Sequence, residues 1–414
     1  MEDNQNKLDL LKWMLSDQKK RRRFIKECLL RGVQNVHTPF SLCSEMIGKL
    51  KENLEKDGKN IKEQRLFVIC NVEFVEVLVH DFDVPPQNIS FFGDSKTEAI
   101  FTKKVYNVGT AYVGTSGGKT LLENLGIVGR ENMKFDVIVG NPPYQAPSEN
   151  NNKGAGNTLW NKFIPKSFSI LKDNGFLCFV HPSGWRNVEG RFSDAKKVLL
   201  SKQISYLEIH NADDGIKTFG AGTRYDWYVA QNKTPSEDTI ILGEDGVSTK
   251  ADLSKMDFIP NGMLDEVEKL IAKNGEERVN FLYDCSYHSA TGPVSKCKDD
   301  KFVYPCVMHV GTKTDEPSCI YYSSTKDKGH FGLTKVIFGR QVSGVQIDRT
   351  GEFGMSDACA ALIDEPANLP QIQKAMKSEK FIELMKMCDV GGNRDRYNRK
   401  VISLFRKDFW KSFI

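Results

Sequence analysis

The stretch Phe135-Asp136-Val137-Ile138-Val139-Gly140-Asn141-Pro142-Pro143-Tyr144 is the most informative in the chain. Phe135–Gly140 is an almost unbroken apolar run of strand length, the pattern of a strand covered on both faces. It ends in two consecutive prolines, which fix φ and donate no backbone hydrogen, so the corner is stiff and offers carbonyls. Further strands are predicted outward from it at LFVIC (66–70), NISFFGD (88–94), KVYNVGT (104–110), GFLCFVHP (175–182), ISYLEIHN (204–211) and RYDWYVAQN (224–232). VEFVEVLVHDF (72–82) and TLWNKFIPKSFSIL (158–171) have helical patterns between them. The alternation predicts an α/β fold built on a doubly wound, mostly parallel sheet. Ligands of such sheets bind outside the carboxyl ends of the strands, which is where Asn141–Tyr144 would stand.

The 414 residues include 58 Lys+Arg and 54 Asp+Glu, with 40% hydrophobic and 27% charged residues. That is globular composition, which excludes a disordered or fibrous chain, and the length predicts two domains. No stretch approaches the roughly 18 uninterrupted apolar residues of a membrane span. The first residues lack the apolar core of a signal peptide, so a soluble cytoplasmic protein is expected. None of the ten cysteines forms a C-x-x-C pair, and several sit in apolar runs. They are expected to be reduced, structural thiols, with no metal centre.

Residues 1–240 are expected to form the first domain, opening with a helical segment within 1–50. There, residues 5–31 are amphipathic and Thr38-Pro39 is a helix-start signal. Polar QNKTPSEDT (231–239) is the linker candidate, and residues 241–414 are expected to form a smaller mixed α+β domain ending in helical LPQIQKAMKSEKFIELMKMC (369–388). Charge is uneven: residues 1–35 hold nine Lys+Arg against five Asp+Glu, and residues 371–414 hold eleven against five. Basic ends suit a phosphate backbone, although a solvated helix face explains either run alone.

The chemistry resides in residues 141–144. The Asn141 side-chain oxygen and the Pro142 carbonyl are two acceptors in a rigid frame, which suits an exocyclic NH₂ group. Accepting both of its hydrogens pulls the nitrogen toward tetrahedral geometry and frees its lone pair. Tyr144 adds a flat face on which a displaced base can stack, worth about 1–3 kcal/mol. A bland strand-ending turn needs no such combination of Asn, two prolines and an aromatic.

The run D-V-I-V-G-N-P-P-Y is similar to the catalytic motif of S-adenosylmethionine-dependent N6-adenine DNA methyltransferases, and the segment order resembles the TaqI/Eco57I-like group. LWNKFIPKSFSILKDNGFLCFVHPSGW resembles that family's helix–Gly–strand–Pro-Ser-x-Trp segment. Thr38-Pro39 resembles its N-terminal motif against the methionine end of the cofactor. Phe219 occupies the place of an aromatic that sandwiches the flipped base. The likeness covers roughly residues 35–232. It implies S-adenosyl-L-methionine as cofactor, duplex DNA as partner, Asn141, Pro142, Pro143 and Tyr144 as catalytic residues, and Tyr144 and Phe219 as base-stacking residues. It also implies a restriction–modification setting, in which a separate restriction endonuclease would be the companion enzyme.

One departure stands out. The family's first strand ends in a Gly-rich turn, whereas here the chain runs Ile69-Cys70-Asn71-Val72-Glu73-Phe74 with no glycine. Either the turn is remodelled, with Asn71 and Glu73 reaching the methionine ammonium, or the pocket is defective; the acid Asp94 at the end of the second strand favours remodelling. Asp94 is expected to accept the ribose hydroxyls, as acids do in dinucleotide folds, or else to act as a turn former. The Gly114–Thr120 loop has one residue too few for a phosphate-binding loop. His181 is expected to bond backbone rather than act as a base. Toward the C-terminus, Arg340 and the cluster Arg394, Arg396, Arg399 and Lys400 are the candidate DNA contacts, with a solvated loop as the alternative. Two rivals are a protein glutamine methyltransferase, against which the large C-terminal region counts, and an inactive DNA-binding relative.

Overall fold

The computed structural model describes residues 17–29, 37–114, 122–125, 134–145, 158–283, 294–311, 318–339, 344–391 and 397–414. The chain divides into two compact units, one of Met1–Trp185 with Gly190–Met256 and one of Arg186–Glu189 with Asp257–Ile414.

The first unit is built on a nine-stranded sheet. Its strands are β1 (Leu66–Ile69), β2 (Ile89–Gly93), β3 (Thr110–Val113), β4 (Phe135–Gly140), β5 (Leu171–Pro182), β6 (Gln203–His210), β7 (Tyr225–Gln231), β8 (Thr239–Leu242) and β9 (Ser248–Ala251). Their order is β3-β2-β1-β4-β5-β7-β6-β8-β9. β1 to β5 pair in parallel, while β7 runs against both β5 and β6. The apolar strands are covered on both faces, as a parallel sheet requires. Leu66, Val68, Val137, Val139, Cys178 and Val180 join one core with Leu42, Met46, Ile47 and Leu50 of the helix Phe40–Lys56. From the alternate positions, Phe67 stacks on Phe135 at 4.6 Å, and His181 lies on Trp160 of the helix Trp160–Ile170 at 4.3 Å. Each fully buried large side chain of this kind contributes about 1.5–3 kcal/mol.

Three local expectations are corrected. Lys104–Tyr106 finish the helix Lys96–Tyr106, so the strand expected over 104–110 begins only at Thr110. Ser95 caps that helix by accepting from the Glu98 N–H at 3.1 Å, and Ala99, Thr102 and Tyr106 bury one helical face, which overrides the strand-like Val-Tyr-Asn-Val pattern. The polar segment 231–239 is a turn inside the sheet: Gln203 Oε1 accepts the Ser236 and Glu237 N–H groups at 2.7 and 3.0 Å, and β8 and β9 follow, so the first unit continues to Met256. The N-terminal basic run is no freely solvated face. Arg21 in the helix Gln18–Phe24 is buried and donates to Glu76 at 3.1 Å, while Arg22 donates to Asp81 at 2.7 Å.

The second unit carries two smaller four-stranded sheets. In the first, β10 (Asn280–Leu282), β14 (Lys335–Phe338), β15 (Val345–Asp348) and β17 (Ala360–Ile363) pair antiparallel. The second joins β11 (Val294–Ser295), β12 (Tyr304–His309), β13 (Cys319–Ser323) and β16 (Gly354–Met355). The helices Leu369–Met376 and Glu379–Met387 pack into the core with Phe338, Tyr397, Phe405 and Phe409. Burial lowers the Lys335 pKa, and the ammonium is held by Asp348 at 2.8 Å and the Leu333 and Phe353 carbonyls. Among the described residues no helix is long and apolar enough to cross a membrane, and no group of three or more His, Cys, Asp and Glu could hold a metal ion.

Candidate active site at the carboxyl edge of the sheet

The strand directions bring the ends of β1, β2, β4, β5 and β6, and the start of the reversed β7, to one edge. At its centre β4 gives way to Asn141. Gly140 is required here: a Cβ on it would sit 2.2 Å from the Ile69 carbonyl oxygen of β1. Asn141 is buried, and its Nδ2 donates to Thr38 Oγ1 at 3.0 Å. The Thr38 hydroxyl in turn donates to Asn71 Oδ1 at 2.7 Å. Pro142 and Pro143 are buried. The Tyr144 carbonyl accepts the Leu159 N–H at 3.1 Å, and Gln145 forms a bridge with Thr158, so the segment leaving Tyr144 returns beside it. Burial raises the Tyr144 pKa, with the Asn141 side chain working against the shift and Tyr225 adding to it. The Tyr144 phenol therefore stays neutral.

Toward β1 and β2 lies the glycine-free turn. Cys70 and Asn71 both adopt positive φ, at 53° and 65°, so the backbone takes a glycine-like path with side chains attached. A left-handed residue of this kind costs about 1–2 kcal/mol, with Asn among the better tolerated. Glu73 in the first turn of the helix Val72–His80 is fully buried. Its Oε1 contacts His37 Nδ1, and its Oε2 meets no hydrogen-bond donor among the described residues. Glu98 is buried beside it. Burial raises its pKa to about 8; the Glu73 carboxylate adds to the shift, and the backbone N–H groups of Asp94 and Val72 oppose it. Asp94 follows β2 and is half-buried, and burial raises its pKa too.

Toward β6 and β7 the site becomes aromatic. Phe219 ends the helix Ala212–Phe219, which Gly220 closes in the left-handed conformation. Its ring meets Tyr225 edge-on at 4.8 Å, and His210 stacks flat on Tyr225 at 4.3 Å and 6°. Burial disfavours the charged His210 ring, but Glu208, 3.1 Å away, and Asp214 outweigh it and raise its pKa. His181, at the end of β5, is buried; burial lowers its pKa to about 4, and it bonds the Pro182 carbonyl and the Tyr228 hydroxyl.

The structure therefore gathers Thr38, Asn71 and Asn141 into one hydrogen-bonded chain. It sets Glu73 and Asp94 beyond β1 and β2, and Phe219 near Tyr225 on the opposite side. His37, Glu98, His210 and Tyr225 are further members of this edge. Of these, Glu98 could have been found from the Ser95-x-x-Glu98 capping spacing. Arg340, Arg394 and Arg396 lie outside the described residues. In the second unit, Arg399 lies over the Tyr283 ring at 3.9 Å and donates to the Asp357 carbonyl at 3.1 Å, and Lys400 donates to the Glu189 carbonyl at 3.1 Å.

A family model described as Eco57I restriction-modification methylase matches residues 15–215. No curated protein matches the chain. Several solved structures resemble it. The DrdV–DNA complex seen by cryoEM is 12% identical with TM-score 0.51, over 84% of this chain and 52% of that one. A nuclease-deletion mutant of the Type ISP restriction-modification enzyme LlaGI, in complex with a DNA substrate mimic, is 10% identical with TM-score 0.51, over 93% and 55%. The type IIG restriction endonuclease BpuSI is 9% identical with TM-score 0.50, over 94% and 61%. At these identities the likeness is one of fold, and the chain spans 52–61% of the length of these three solved chains.

Proposed function

We propose that this chain is a site-specific DNA methyltransferase that places a methyl group from S-adenosylmethionine on N6 of an adenine extruded from duplex DNA, in a restriction-modification setting. The observation that carries the proposal is the Asn141–Tyr144 corner at the carboxyl end of β4. It supplies the Asn141 Oδ1 and Pro142 carbonyl acceptors beside an aromatic ring. The family model spanning residues 15–215 supports it.

The residues beyond β1 and β2 fit the cofactor. A fully buried carboxylate oxygen without a donor, Glu73 Oε2, suits the methionine ammonium, since a buried charge needs a partner. Thr38, Pro39 and Asn71 line the methionine end with Asn141, and Asp94 accepts the ribose hydroxyls. When bound, S-adenosylmethionine supplies an electrophilic methyl group. The chain's own part is to orient the amine. Asn141 Oδ1 and the Pro142 carbonyl accept its two hydrogens and direct the lone pair, while Pro143 stiffens the corner. Tyr144 and Phe219 stack the extruded base. The amine becomes strongly acidic once it has attacked, so no basic side chain is needed, and His181, with a pKa near 4 and both ring nitrogens engaged, is not used as one. The second unit, chiefly Asp257–Ile414, is proposed to hold and read the duplex, with Arg340, Arg394, Arg396, Arg399 and Lys400 as contacts.

The test is incubation of mixed-sequence duplex DNA with labelled cofactor, followed by nucleoside analysis. N6-methyladenine is expected. Label in N4-methylcytosine would replace the base, and label in protein alone or nowhere would overturn the proposal.

A further inference from the structure

The glycine-free turn after β1 has a chemical consequence for Asn141. A hydroxyl has one hydrogen to give, and the Thr38 hydrogen goes to Asn71 Oδ1 at 2.7 Å. Thr38 Oγ1 can therefore meet Asn141 only as an acceptor, and the Asn141 amide is turned so that Nδ2 donates to it at 3.0 Å. Turning that amide over would set two acceptor oxygens against each other at a site where Thr38 is fully buried and Asn141 nearly so. The chain has a direction. An acceptor at residue 71 fixes the hydroxyl rotor of residue 38, and the rotor fixes which end of the residue 141 amide faces Thr38.

We propose that Asn71 and Thr38 are positioning residues that hold the Asn141 amide with its oxygen directed away from Thr38, and that this is why an asparagine stands at a positive-φ position suited to glycine. The inference rests on the methyltransferase reading, in which that oxygen accepts a hydrogen of the target amine. A glycine at 71 would relieve the backbone, whose φ is 65°, but would remove the acceptor that starts the chain. Thr38 then acts through Asn141, since its single hydrogen is committed to Asn71. Backbone comfort has been exchanged for the orientation of one amide.

Three single variants of the full chain test this, Asn71→Gly, Thr38→Val and Thr38→Ser, together with one double variant. Asn71→Gly is expected to stay folded, the relief of its backbone offsetting the orphaned Thr38 hydroxyl, and to lose about 10- to 100-fold in kcat, the scale of a misplaced reacting group. Thr38→Val keeps the shape without the hydroxyl and should lose a similar factor, while Thr38→Ser restores most of it. The Asn71→Gly/Thr38→Val double variant should lose no more than either single one, because both break the same chain. Because Thr38 and Asn71 also line the methionine end, kcat is read at saturating S-adenosylmethionine, and the KM for DNA should stay near wild type in all of them. The inference is overturned if Asn71→Gly keeps wild-type kcat, if the two losses multiply, or if saturating cofactor restores kcat in either single variant. Wild-type protein that labels no DNA would instead sink the methyltransferase reading itself.

Discussion

The Glu98 carboxylate accepts the backbone N–H of Asp94 at 2.9 Å and so ties the start of the helix Lys96–Tyr106 to the acid that follows β2. Its pKa is about 8 in the folded chain against an ordinary 4.5, chiefly through burial. The folded state therefore holds a proton that the unfolded state releases, and stability should fall as pH rises from about 4.5 to 8, by at most about 1.4 kcal/mol per pH unit. Glu98→Gln should flatten that part of the profile. Thermal melts of both proteins across the window check it, and parallel profiles would refute it.

Glu76 is fully buried and takes Arg21 at 3.1 Å and the Tyr106 hydroxyl at 2.7 Å. Glu76→Ala would strand the buried Arg21 guanidinium, at a cost of about 3–5 kcal/mol. Urea unfolding should show that loss. A change below about 1 kcal/mol would mean that the helix Gln18–Phe24 is not anchored through this pair.

Asn141→Ala removes one of the two proposed acceptors. Methyl transfer should fall about 10²- to 10³-fold, the usual scale for a single oriented group at a transition state. Duplex binding in a gel-shift assay should be unchanged. Transfer at the wild-type rate would remove Asn141 from the chemistry.

Phe219→Ala should weaken the grip on an extruded base by about 1–3 kcal/mol, roughly 5- to 100-fold in kcat/KM. The fluorescence of 2-aminopurine at the target position reports the same step. An unaltered signal would move the stacking role to Tyr225, which Phe219 touches at 4.8 Å.

The apolar runs that became β1, β4 and β5 were legible because strands buried on both faces leave little else for Val, Ile and Phe to do. The Asn141–Tyr144 corner was legible for a related reason, since its composition is costly unless used. Lys104–Tyr106 misled because a short alternating pattern is shared by strands and helix ends, and Ser95 and Glu98 upstream decided between them. The polar segment 231–239 read as a linker because turns inside a sheet and linkers between domains draw on the same residues; the Gln203 side chain that closes it is some thirty positions away. The buried pairing of Arg21 was hidden in the sequence because nothing local marks Glu76 as its partner. The Thr38–Asn71–Asn141 chain spans 33 and 103 positions and could only be seen in three dimensions.

The reversal of β7 sets how this edge can vary. A strand that runs against its neighbours must be reached by chain crossing the mouth of the sheet, and here Asn211–Arg224 does so, carrying Phe219 with it and delivering Tyr225 opposite Pro182 and His210. On the proposed reading, the wall facing an extruded base is made by this excursion, and the opposite wall by the turns after β1 and β2. Asn141 is the hinge post between the two. If that reading holds, changes in the length or residues of the excursion retune which base is admitted and leave the methyl-donor side as it is, so the two specificities are separable by construction.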